Sequence, residues 1–136
     1  MNLSRAVVLS FFALGVGLVS LSGSRSATAE CSVHTLQGSY LFHGRGINVH
    51  YGVLEFDGAG NFSGKQTSIR QPNVASAQRE TLHGNYAINA DCTGEMEMDG
   101  QIGGTAHWDI FVTADGKKGR MIRTDAGRTG VRTFEQ

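Results

Sequence analysis

Two neighbouring segments hold the residues best suited to chemistry. His107-Trp108-Asp109-Ile110-Phe111-Val112 is followed, after a short turn, by Arg120-Met121-Ile122-Arg123-Thr124-Asp125. In an extended strand, successive side chains point to opposite faces. His107, Asp109 and Phe111 then share one face of the first segment, with Trp108, Ile110 and Val112 on the other. In the second segment Met121, Arg123 and Asp125 share a face. If these mixed faces line an interior, they offer two carboxyls, an imidazole and a guanidinium beside Phe111 and Met121. Few polar groups converging among apolar ones is the usual make-up of a small-molecule site. An Asp beside an Arg stays ionised and one among aromatics is pushed toward neutral, so Asp125 and Asp109 can divide the roles of acid and base. His107 is an alternate base, and Arg123 would steady a carboxylate or a developing oxyanion. Tyr40 and Tyr86 are further donors. The alternative reading makes Asp109 and Arg123 a cross-strand ion pair on the outer surface, with Trp108, Ile110 and Val112 as ordinary core. If the mixed face is internal, Trp108 points outward and needs a subunit partner, which predicts a homo-oligomer.

The elements that must position these residues are short strands. Turn signals recur at Asp57-Gly58-Ala59-Gly60-Asn61, Asp91-Cys92-Thr93-Gly94, Asp99-Gly100, Asp115-Gly116 and Asp125-Ala126-Gly127. Glycine takes positive φ freely, and Asp or Asn side chains close turns on nearby backbone. Between the turns, apolar and polar residues alternate. Eight strands follow: Ser39–His43, Tyr51–Phe56, Asn61–Ile69, Thr81–Asn89, Glu95–Met98, Ala106–Thr113, Arg120–Thr124 and Gly130–Phe134. Short links favour nearest-neighbour antiparallel pairing. This predicts an all-β domain, a closed eight-stranded antiparallel barrel that removes both sheet edges, with a β-sandwich as the alternative. Such a barrel is just wide enough to be filled by side chains or to hold one small ligand. An internal echo pairs Thr35-Leu36-Gln37-Gly38-Ser39-Tyr40 with Thr81-Leu82-His83-Gly84-Asn85-Tyr86, and suggests barrel corners at Gly38 and Gly84. The longest interruption, Arg70 to Glu80, contains the sole proline, Pro72, and reads as a loop or one helical turn over a barrel mouth.

The ends and the composition narrow the setting. Arg5, the apolar run Ala6 to Val19 and the small-x-small site Ala27-Thr28-Ala29 read as a signal peptide over 1–29, too short in its apolar part to span a bilayer. A single domain, 30–136, would remain, periplasmic or secreted, with no stable membrane insertion. The whole chain balances 12 basic against 12 acidic residues. Removing 1–29 takes away Arg5 and Arg25 and no acid. That near-neutral, interspersed charge argues for no nucleic-acid partner. Both cysteines, Cys31 and Cys92, fall in the exported part, where an even count favours a disulfide. It would close a loop of about 60 residues, worth roughly 4 kcal/mol by chain entropy. The five histidines form no His-x-His or His-x-x-x-His pair, so neither a metal nor another cofactor is expected.

The order Leu36-x-Gly38-x-Tyr40-x-Phe42, Phe56-Asp57-Gly58-x-Gly60-Asn61, Gly84-x-Tyr86-x-Ile88-Asn89-x-Asp91-Cys92-Thr93-Gly94 and Ile122-x-Thr124-Asp125-x-Gly127 resembles a group of small exported bacterial proteins. That group is similar to the calycin-like barrels of the allene oxide cyclase class, near which the bacterial α-pinene oxide lyases stand. The resemblance implies an apolar lumen and an isomerase or lyase that opens or rearranges an epoxide-like substrate without a cofactor. No catalytic motif of the plant cyclases aligns here, so no role is carried over. A carrier of a hydrophobic ligand would show the same cavity without a paired acid and base. A small barrel inhibitor that binds another protein would use the loop Pro72 to Glu80 and have a filled lumen.

Overall fold

A computed structural model describes residues 30–70 and 77–136; the signal peptide expected over 1–29 and most of the loop after Arg70 lie outside these residues. Eight strands follow one 3-10 turn, Val33–Thr35. They are β1 (Gln37–Gly46), β2 (Asn48–Asp57), β3 (Asn61–Arg70), β4 (Gln78–Ile88), β5 (Thr93–Gly100), β6 (Gly104–Val112), β7 (Lys118–Arg123) and β8 (Gly130–Glu135). Each pairs antiparallel with its neighbour, and β8 returns to β1, closing the barrel. The expected barrel is therefore the fold, and the sandwich is not.

Local chemistry explains the links. Asp57 Oδ1 accepts hydrogen bonds from the amides of Ala59 (2.7 Å) and Asn61 (2.9 Å). Asp115 and Asp91 close their turns in the same way, on Lys117 and Thr93. Period-two alternation then drives one face of every strand inward, as in β5, where Met96 and Met98 are buried and Glu95 and Glu97 exposed. Six of the eight strands begin earlier than their sequence pattern suggests, while β3 and β8 start where expected. In particular, β4 starts at Gln78, so Glu80 belongs to a strand and not to the preceding loop.

One end of the barrel is closed. There the 3-10 turn and Leu36 sit against the ends of β1 and β4, and a disulfide joins Cys31 to Cys92. The echoed tyrosines serve this end. The rings of Tyr40 and Tyr86 both meet Phe56 edge-on, with centroids 5.2 and 5.1 Å away. The Tyr40 hydroxyl donates to the Gly116 carbonyl (2.7 Å), and that of Tyr86 reaches the carbonyls of Val33 and Leu36 (both 2.9 Å). At the echoed glycines the chain takes conformations that disfavour side chains, φ +95° at Gly38 and +159° at Gly84. A Cβ on Gly84 would lie 3.0 Å from the Phe62 ring and closer still to the Glu97 carbonyl. These are the corner positions expected of them.

Candidate functional site

The inward side chains change character along the strands. On β3 they run from Phe62 at the closed end to Gln66 and Ser68 at the other. On β4 they run from Tyr86 and Leu82 to Glu80, and on β8 from Phe134 to Arg132. The second, open end of the lumen is thus walled by buried polar groups. Asn48 and His50, at the start of β2, complete it. Gln66, Glu80, Arg132, Asn48 and His50 border a cavity of about 100 Å³ whose apolar lining includes Leu82, Met98, Ala106 and Trp108.

Strand register brings the polar groups together. Gly44 on β1 is paired with His50 on one side and with Arg132 on the other. A Cβ at Gly44 would stand 2.4 Å from Arg132 Cγ, so the glycine is the space the arginine occupies. Gly100 does the same for Glu80, whose Oε2 would lie 2.6 Å from a Cβ there. Gln66 and Glu80 face each other across β3 and β4. The Gln66 amide donates to Glu80 Oε1 (2.6 Å), and the Ile102 amide donates to Glu80 Oε2 (2.9 Å).

Arg132 dominates the electrostatics. It is 6% exposed, with its guanidinium 4.5 Å over the Trp108 ring and 5.3 Å from the Phe42 centroid. Nη1 lies 3.0 Å from Met98 Sδ, and no carboxylate is within ion-pairing distance among the described residues. Burial, then the charge of Arg123, pulls its pKa down to about 10, which leaves it a cation at neutral pH. His50 is held neutral: burial, helped by the Arg132 charge, lowers its pKa to about 4. Five buried polar atoms have no partner among the described residues: Asn48 Oδ1, His50 Nδ1, Gln66 Oε1, Trp108 Nε1 and Arg132 Nε. All five belong to residues lining this one cavity. Buried polar atoms are normally paired, with protein or with ordered water, so five such atoms around one void single it out as the candidate site.

The residues singled out from sequence are dispersed. His107, Asp109 and Phe111 face outward, and Trp108 and Ile110 inward, so the outward Trp108 that argued for an oligomer is not found. Phe111 borders an open depression of about 1000 Å³ on the outer wall, together with Leu41, Tyr51 and Arg120. Asp109 pairs in register with Ile122, while Arg123 stands opposite Trp108. The two faces that looked equivalent are therefore opposite ones. Asp109 and Arg123 share neither a lumen wall nor a surface ion pair. Asp125, beyond the end of β7, turns back to the outer wall. It accepts from the His107 amide (3.2 Å), lies 2.8 Å from His107 Nδ1 and accepts from Arg123 Nε (2.6 Å). His107 Nε2 is 3.4 Å from Glu97 Oε2. The hydrogen bond to Asp125 raises the His107 pKa, and the same bond, then Arg123, lowers that of Asp125. Met121, Tyr40 and Tyr86 do face inward, but the tyrosine hydroxyls are spent on the closed end. Of the sequence-derived set, Arg123 alone borders the polar cavity. Arg132, Glu80 and Gln66 were missed, whereas His50, beside the Gly44-Arg45-Gly46 bend, is where a mouth-lining histidine was to be sought. The alternation of Arg132 with Phe134, and of Glu80 with Leu82, was the available signal.

No family model matches the chain, and no curated protein matches it. Among solved structures, it is similar to a redesigned β-barrel, mFAP1, bound to DFHBI. The TM-score is 0.59 at 13% identity, over 76% of this chain and 97% of that one. At this identity the likeness concerns the fold.

Proposed function

We propose that this protein is an exported barrel that binds one small molecule in the open, polar end of its lumen. The observation that carries the proposal is the set of five buried polar atoms around one cavity that have no partner among the described residues, opposite an end that is sealed. The similar designed barrel holds a small molecule, which agrees with this use of the fold. The apolar leader pattern over 1–29 and the Cys31–Cys92 disulfide support export to an oxidising compartment. Among the described residues no helix is long and apolar enough to cross a membrane.

Trp108 is the sole tryptophan, it lines the cavity and its indole nitrogen has no partner among the described residues, so it reports occupancy directly. The test is titration of the protein with a panel of small neutral and charged fragments, following the Trp108 indole N–H resonance. Binding fragments are expected to shift it, and Ala106→Phe, which fills the cavity from β6, is expected to abolish the shift while the circular dichroism stays that of the barrel. A panel that never moves the resonance, or a filled variant that binds as well, would sink the proposal.

A second reading is favoured by the company Glu80 keeps. The cavity holds a carboxyl, a neutral imidazole and a cation, which is the equipment an acid–base isomerase or lyase needs. In this reading the epoxide C–O bond breaks as Glu80 takes a proton from carbon, Arg132 steadies the oxygen released, and Glu80 returns the proton to that oxygen. They replace Asp125, Asp109 and His107 in those roles. Incubation with α-pinene oxide followed by gas chromatography tests it: rearranged product that vanishes in Glu80→Gln supports catalysis, and unchanged epoxide leaves the carrier reading.

A further inference from the structure

We infer that the ligand is a small carboxylate with an apolar body and a hydroxyl, its carboxylate seated on Arg132. This rests on the reading that the lumen binds a small molecule and names the chemical class it takes.

The charge argument comes first. All twelve acidic side chains of the sequence fall within residues 30–136 and none within 71–76, so every carboxyl is described. None of them pairs with Arg132. Glu80, the one acid on the cavity wall, already has an oxygen on Gln66 and the other on the Ile102 amide. Arg45, Arg123 and Arg128 stand on the same cavity wall, and of these Arg123 is committed to Asp125. The chain as a whole is neutral, yet this cavity gathers four cations against one acid. A buried, unpaired guanidinium is costly to keep, and a planar carboxylate is the group whose geometry matches it.

The remaining orphans refine the class. Arg132 Nε and Trp108 Nε1 are donors and suit an anionic oxygen. Gln66 must turn its NH₂ toward the Glu80 carboxylate, which fixes Oε1 as an acceptor facing the void. An acceptor needs a donor on the ligand, such as a hydroxyl. Leu82, Met98, Ala106 and Trp108 supply apolar wall, which suits a carbon body and disfavours a bare hydrated ion. A cavity of about 100 Å³ limits that body to roughly the size of one ring, since a dry cavity of about 150 Å³ accepts benzene.

The experiment uses matched ligands on the unaltered protein, so it does not depend on a variant folding. Benzoate, 4-hydroxybenzoate, benzamide and inorganic phosphate are each titrated by calorimetry and by the Trp108 indole resonance. The expected order is 4-hydroxybenzoate, then benzoate, with benzamide at least tenfold weaker and phosphate showing no saturable binding. Arg132→Met is expected to weaken benzoate at least tenfold and to leave benzamide within about twofold. Benzamide binding as tightly as benzoate would overturn the carboxylate assignment while leaving lumenal binding intact. Phosphate binding as tightly as benzoate would overturn the carbon body. If none of the four compounds binds, the carboxylate assignment falls; if the wider fragment panel is silent too, the lumenal reading falls with it.

Discussion

The two ends of this barrel are built from the same alternation and do opposite things. At the closed end, Tyr40, Phe56, Phe62, Tyr86 and Phe134 fill the lumen ring against ring, and the polar atoms of both tyrosines are satisfied by backbone carbonyls. At the open end, Arg132, Glu80, His50, Gln66 and Asn48 take the equivalent inward positions, and most of them have an atom without a partner among the described residues. Apolar burial stabilises a fold roughly in proportion to area, whereas buried polar atoms without partners cost stability. The closed end therefore carries the fold, and the open end draws on that stability to hold its groups ready.

The sharpest way to break this comparison is to remove the centre of the aromatic end. Phe56 touches four other rings, and Phe56→Ala should cost about 3–5 kcal/mol, the range for large aromatic truncations in cores. Urea unfolding followed by circular dichroism measures it; a loss under 1 kcal/mol would mean that the closed end does not carry the fold. Next in size is the disulfide. Replacing Cys31 and Cys92 by serine together frees a loop spanning 61 positions, with an expected loss of about 2–4 kcal/mol, and the reduced wild type should unfold at the same midpoint as the double variant.

Legibility from sequence follows the same division. Turn chemistry and period-two patterning are local, so Asp57, Asp91 and Asp115 and the strands between them announce the eight-stranded barrel and its corners at Gly38 and Gly84. The disulfide followed from an even count of cysteines behind a leader pattern that predicts export. The site did not follow, because it depends on register. Whether Arg123 faces Asp109 or Trp108 is decided by one residue of offset between β6 and β7, and one residue exchanges the faces. Glu80 was hidden because β4 begins at Gln78, three residues before the expected strand start at Thr81. Arg132 was passed over because a lone charged residue between Val131 and Thr133 reads as solvent-facing until Gly44 is seen to make room for it.

The open end should reveal itself through acid. His50 has its folded pKa lowered to about 4, while the unfolded chain holds a histidine near its ordinary value of about 6.5. Between those values the unfolded chain binds more protons, so stability falls as pH falls through this window and is level on either side. The full effect is of the order of 3 kcal/mol, and His50→Gln should remove it. Denaturation midpoints at pH 7 and pH 4.5 compare the two proteins; equal slopes would mean that His50 is solvated. A smaller change of opposite sign is expected from Arg132→Met. Exchanging an unpaired buried cation for an apolar chain of similar length should stabilise the barrel by about 1 kcal/mol while benzoate binding weakens. A destabilised variant would show that Arg132 is a structural part of the wall after all.

The smallest effect belongs to the outer wall, and it separates the His107–Asp125 pair from the lumen. Asp125 ties the segment after β7 to β6 through His107, on the rim of the open end. His107 has a raised folded pKa, so its contribution is fully present below about pH 6.5 and is lost as pH rises through the higher folded value. Asp125 has a lowered folded pKa, so its contribution is present above about pH 4 and is lost on further acidification. The pair is strongest between these limits, in the window where His50 weakens the fold. His107→Gln should therefore lower the unfolding midpoint slightly at pH 5.5 and hardly at all at pH 8.5, with the pair too exposed for more. Benzoate affinity at pH 7 should be unchanged. If His107→Gln instead weakened the ligand as much as Arg132→Met does, the outer wall and the cavity would be one site, and the division between the polar lumen and the outer wall would have to be redrawn around Arg123, the residue that touches both.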